Sequence, residues 1–190
     1  IDASQGIFAF KDSGPAVDQK LVGTIKPLVV DDDDLKTDPS TDLTPLFQNA
    51  FTHSADGDSI SYSLALSTQD SKSGLFSLDP NGGPSSGPEI LLHQDPNGVI
   101  HGYPTGGKFD GSQDLFTITI DGNNHLVLNQ IKPIFQGNTS SDNEQVLLHA
   151  AQGLLNIKAT ITDTDGDSET ATIDASQGIF AFKDSGPAVD

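Results

Sequence analysis

The side chains best placed to do chemistry in this sequence are carboxylates. Asp163-Thr164-Asp165-Gly166-Asp167 sets three of them at alternating positions, with a glycine that permits a sharp bend. Three oxygen ligands at that spacing converge on one hard cation of calcium's size. The glycine falls one place too early for a helix-flanked calcium loop, and no helical pattern surrounds it. A hairpin turned by Asp165-Gly166 is therefore predicted, with Ca2+ bound on top of the turn. Asp56 and Asp58, around Gly57, offer two further carboxylates to a site completed by another loop. Asp31–Asp34 is denser but follows no ligand spacing, and reads equally as a solvated charge run. Asp110–Asp114 reads as a turn.

Other reactive patterns fail on context. Gly83-Pro84-Ser85-Ser86-Gly87 has the letters of a nucleophile elbow, but prolines occupy it and no helix pattern follows. The histidines at 53, 93, 101, 125 and 149 show no zinc spacing. His53 near Asp56 is a possible acid–base pair, of a kind expected anywhere in so acidic a chain. No phosphate-cradling glycine loop is present, and the absence of cysteine excludes thiol catalysis and thiolate metal centres. Asn138-Thr139-Ser140 fits a glycosylation sequon, which matters only in a eukaryotic secretory host. The chain is read as having no enzymatic activity.

The elements that hold these carboxylates are short and numerous. Apolar residues make up 34% of the 190, with 19 glycines and 11 prolines, a mixture suited to many strands and turns. Ile60–Leu66, Phe116–Ile120 and Leu155–Ile161 alternate apolar and polar residues as half-buried strands do. Shorter strands are predicted at 21–25, 28–30, 74–78, 90–92, 99–103, 125–128, 171–173 and 179–182. Residues 144–152 read as a short helix capped by Asp142, and 43–51 as either a strand or a helical turn. The sum is an all-β antiparallel sandwich of immunoglobulin type.

Twenty-seven acidic residues face nine lysines and no arginine, a formal net charge of −18 that repels nucleic acids and other polyanions. Twenty-four of the acids are Asp, the shorter ligand and turn former. No apolar run is long enough to cross a bilayer as a helix. A repeat organises the whole: Ile1–Asp18 and Ile173–Asp190 are the same eighteen residues, offset by 172. A period that long is a domain, so a tandem array is expected. Residues 1–12 would end the preceding repeat, 13–184 form one complete repeat, and 185–190 begin the next. In a sandwich of this type the hairpin before the last strand lies beside the incoming linker. Asp163, Asp165 and Asp167 are thereby expected near Asp12, and one cation would clamp linker to domain. Asp184 would serve the following domain in the same way.

Three stretches carry a resemblance: ADGDSISYSLAL from Ala55, FTITIDGNNHLVLNQIKPI from Phe116, and LLNIKATITDTDGDSETATID through to IFAFKDSGP at the end. Together they are similar to the long repeat domain of bacterial repeats-in-toxin (RTX) adhesins, giant surface proteins exported by type I secretion. Where that family often carries two acids before its Gly-Pro, Ser185 takes the second place here. The resemblance implies a monomeric extender module on the bacterial cell surface. Its partners would be neighbouring repeats of the same chain, stiffened by Ca2+ at their junctions. Many copies would project a terminal adhesive domain for biofilm or host attachment, and any glycan would be bound through other domains. The alternative reading is a glycan- or cell-binding module within the adhesin, for which Tyr103 is the obvious stacking residue.

Overall fold

The computed structural model describes residues 13–137 and 144–184. Its strands are β1 (Ala16–Val17), β2 (Leu28–Asp31), β3 (Ser40–Asp42), β4 (Phe51–Thr52), β5 (Asp58–Leu66), β6 (Ser71–Leu78) and β7 (Ser86–Gln94), followed by β8 (Ile100–Pro104), β9 (Phe116–Ile120), β10 (His125–Gln130), β11 (Gln145–His149), β12 (Leu155–Asp163), β13 (Ser168–Asp174) and β14 (Gln177–Lys183). One α-helical turn, α1 (Thr44–Phe47), stands among them.

Alternation decides the faces. Along β12 every second residue is buried, and Leu155, Ile157, Ala159 and Ile161 are fully enclosed. Six strands form one sheet in the order β3-β10-β9-β8-β7-β6. The orders β11-β14-β2 and β13-β12-β5 make two smaller sheets, and β1 pairs with β4. These sheets pack as a β-sandwich-like all-β fold around one shared hydrophobic cluster. Phe116 of β9 meets Phe182 of β14 across that core, with ring centroids 5.0 Å apart. Among the described residues every ladder is antiparallel except β14 with β2, which is parallel from Phe180↔Leu28 to Lys183↔Asp31.

The registers reveal one long ribbon. β11 runs antiparallel to β14, Ala150 N–H donates to Ser176 O, and β12 runs antiparallel to β13. These pairings are successive stretches of a single hairpin. It bends at 150–154 and 175–178, where Gly178 takes φ 76°, so its two halves enter different sheets. The closed end of the ribbon is the 163–167 turn. The open end is Glu144 and Asp184, joined by Asp184 N–H donating to Glu144 O at 3.0 Å.

Two expectations are corrected and one open choice is resolved. Residues 145–149 are the strand β11, not part of a helix over 144–152: Leu148 and Ala150 are buried with a period of two, and the β14 ladder satisfies the backbone. The expected strand at 21–25 is absent. Asp18 caps a 3₁₀ turn over Gln19–Leu21 by accepting from Lys20 N–H, and the chain then runs irregularly to Ile25. The open choice at 43–51 resolves to α1, with Pro45 in its first turn, followed by a 3₁₀ turn and β4.

Gly102 stands directly opposite Phe116 in the β8–β9 ladder, and the Phe116 ring occupies the space where a Cβ would lie. Gly102→Val therefore overpacks the core. A loss of about 3 kcal/mol is expected, measurable as a lower urea midpoint at unchanged slope.

Candidate functional site

The turn at the closed end is built by Asp163. The apolar alternation of β12 carries on to this residue, leaving it only 8% exposed. An inward carboxylate needs donors. Its Oδ1 accepts from Asp165 N–H at 3.0 Å and from Asp167 N–H at 2.9 Å. Asp163 N–H donates to Asp167 O, and Gly166 takes φ 94° to close the turn. The hairpin read from the sequence is present.

Two other acids and the incoming chain share this end. Asp163 pairs with Asp58 at the start of β5. Asp58 accepts from His53 Nδ1 at 2.8 Å and from Ser54 N–H at 3.0 Å, and the His53 bond holds its carboxyl below the usual range. The acid–base partner of His53 is thus Asp58, not Asp56, which lies in the turn just before it. Gly14 lies against the 163–167 turn: a Cβ placed on it would stand 3.5 Å from Asp167 Oδ2 and 3.7 Å from Asp163 Oδ2. A little further along, Gln19 pairs with the edge strand β13, its Nε2 donating to Thr172 O and its Oε1 accepting from Thr172 N–H. A side-chain amide here imitates one rung of a ladder and fixes the incoming segment to the sheet.

Asp184 stands at the opposite end of the ribbon. With Asp32, Asp33 and Glu144 it lines a cleft of about 330 Å³. Asp32 N–H donates to Lys183 O, and its carboxylate accepts from Gln130 Nε2 at 2.5 Å. Burial pushes the Asp32 carboxyl up, the Gln130 and Gln136 amides pull it back, and the nearby Asp184 adds to the rise.

Of the seven predicted ligands, Asp163, Asp165, Asp167, Asp56 and Asp58 fall at one end and Asp184 at the other, while Asp12 lies outside the described residues. Against the needs of a calcium ion, the turn by itself falls short of a ligand set. One oxygen of Asp163 is committed to backbone donors, and the second oxygens of Asp163 and Asp167 face the segment at Gly14. Among the described residues, no three acidic or histidine side chains gather closely enough to hold a metal ion. A hard cation takes six to eight oxygens, so the remaining ligands would have to come from the incoming chain and water.

A second polar cluster escaped the sequence reading. His93 and His101 face each other across the β7–β8 hairpin, and Asp70, Asp95, Asp114, Tyr103 and Phe109 surround them. The residues Asp95-Pro96-Asn97-Gly98 between the strands predicted at 90–92 and 99–103 have turn chemistry, and a hairpin closed there is the signal that could have found the pairing. Tyr103 is 6% exposed with its hydroxyl donating to Asp70, so it offers no platform for a sugar.

Compared with known proteins, residues 27–176 match the model of a domain family described as domain of unknown function DUF5801. The match takes in the 163–167 turn and stops before β14. No curated protein and no solved structure matches the chain.

Proposed function

The chain belongs to the DUF5801 domain family, and we propose that it is an extender repeat of a bacterial RTX adhesin. On this reading it is a non-catalytic spacer at the cell surface. Copies follow one another in a single polypeptide exported by type I secretion, Ca2+ stiffens each junction, and the array projects an adhesive domain toward a host or biofilm. Residues 13–184 form one repeat, preceded by the end of another copy and followed by the start of the next.

The observation that supports this reading is the placement of Gly14 and Asp184 at opposite ends of the ribbon. The incoming segment at Gly14 lies on the closed end of the ribbon, and Asp184 leaves from its open end. Modules linked in that way add their lengths. Asp184 occupies in the second eighteen-residue copy the position that Asp12 occupies in the first. Each junction would then set that acid between Asp32, Asp33 and Glu144 of one repeat and the 163–167 turn of the next. Carboxylates so crowded repel one another unless a cation lies among them, and a bound cation would fix the angle between neighbours.

A two-repeat protein examined by small-angle X-ray scattering tests the proposal. With Ca2+ the scattering should fit one extended particle, about twice the length of a single repeat. With chelator it should fit a range of hinge angles. Profiles that superpose in the two conditions would sink the calcium-stiffened spacer.

A further inference from the structure

We infer that His101 acts as a built-in structural cation: it is held as an imidazolium at neutral pH, ties Asp95 to Asp114, and releases the loop between β8 and β9 when its proton is lost. The chain has no arginine and only nine lysines for its acids. In this cluster a histidine takes the place such a cation would fill.

The geometry requires the extra proton. His101 Nδ1 lies 2.5 Å from Asp114 Oδ2, and its Nε2 lies 3.0 Å from Asp95 Oδ2. An ionised carboxylate only accepts, and a neutral imidazole has a single N–H. With both carboxylates ionised, both contacts are hydrogen bonds together only if the ring carries two. The side chains are largely shielded, at 15% exposure for His101, 18% for Asp95 and 5% for Asp114. Burial alone would favour the neutral ring, but the bonds to Asp114 and Asp95 outweigh it and hold the histidine's pKa above its ordinary value. The same bond holds Asp95 below the usual carboxylate range.

Every packed element contributes. β7 presents His93, whose Nδ1 meets Asp70 Oδ1 at 2.8 Å. β8 presents Tyr103, whose hydroxyl donates to the same Asp70 oxygen at 2.6 Å. The bonds from Tyr103 and His93 hold Asp70 low, while burial and Asp70 push Tyr103 up to about 12, so the phenol stays neutral beside the cluster. Asp95 comes from the β7–β8 turn and Asp114 from the loop before β9. That loop lays Phe109 over the patch, stacked on His93 at 3.8 Å and edge-on to His101 at 4.9 Å. The aromatic lid is thus held down by Phe109 packing and by the Asp114 bond.

Losing one ring proton to water leaves a bare nitrogen lone pair facing a carboxylate. Attraction turns into repulsion at that contact. Because the proton affinity is raised in the folded state, the contribution is fully present below the ordinary histidine value of about 6.5 and is lost as pH rises through the higher folded value.

Imidazole 1H–15N correlation spectra of the whole 190-residue chain from pH 5 to 10 test this. His101 should show both nitrogens protonated at pH 7, with a proton affinity above that of free histidine. Asp114→Asn should lower that affinity about tenfold. Protection factors for the amides of residues 106–113, taken against the intrinsic exchange rate at each pH, should fall above the His101 midpoint, while those of β12 stay high. A bare ring nitrogen at pH 7, an affinity no higher than that of free histidine, or no change in Asp114→Asn would overturn the protonated clasp. Loop exchange that ignores the midpoint would overturn its role as a latch. The wild-type spectra decide the first point even if the variant fails to fold.

Discussion

Phe182→Ala is expected to remove about 3–5 kcal/mol of unfolding free energy, the range for deleting a large aromatic from a core. Phe182 has no exposed surface and its ring packs against Phe116 at 53°. It sits on β14, the middle strand of its sheet, and Phe180 on the same strand is equally enclosed. Domains of this size are stable by about 5–15 kcal/mol, so the loss is a large fraction of the whole. Phe76→Ala is the control, since that ring is 38% exposed and should cost far less. Urea unfolding reads both. The result also settles which module owns the second eighteen-residue copy. A loss below about 1 kcal/mol, the size of a surface effect, would mean that this strand is dispensable.

The second large effect concerns calcium, and rests on the proposed function. A ligand present at about a hundred times its dissociation constant stabilises the folded state by about 2.7 kcal/mol. In a domain of this length that corresponds to about 5–10 °C in melting temperature. Chelation should lower the midpoint by that amount. Two substitutions separate the roles within the turn. Asp167→Ala removes a carboxylate that faces Gly14, so it should abolish the calcium-dependent increment and leave the chelated midpoint nearly unchanged. Asp163→Ala also strips the acceptor from two backbone N–H groups, so it should lower the midpoint in chelator as well. Identical melting curves for the unaltered chain in Ca2+ and in chelator would remove the turn from consideration as a metal site.

What could be read from the residues depended on how local the cause was. Leu155, Ile157, Ala159 and Ile161 announce β12 because one face is apolar over four alternations, and Asp165-Gly166 announces its turn because few residue pairs tolerate that bend. Glu144–Gln152 misled because Val146, Leu147 and Ala150 also satisfy a helical period. The ladder with β14, formed by residues about thirty positions away, decided the matter. The β14–β2 pairing leaves no local trace at all, since the choice of a neighbouring strand is made by the packed core. The acids of the 163–167 turn were found because their spacing is a motif in itself. Asp32 was visible only as one of a charge run, and nothing near it in sequence foretold Gln130. His101 was passed over because its partners, Asp95 and Asp114, converge on it only through a hairpin and a loop.

The same-direction pairing of β2 and β14 bears on a tethered module under tension. The residues before β2 lead back to the closed end of the ribbon, and those after β14 leave at the other. A tug on both tethers drags the two strands opposite ways along their common axis. The rungs from Leu28 to Asp31 are then strained in shear, all at once, whereas strands pulled apart sideways would unzip one rung after another. Resistance to forced unfolding is set by the rate of that rupture, and this arrangement makes the rung set fail together or not at all.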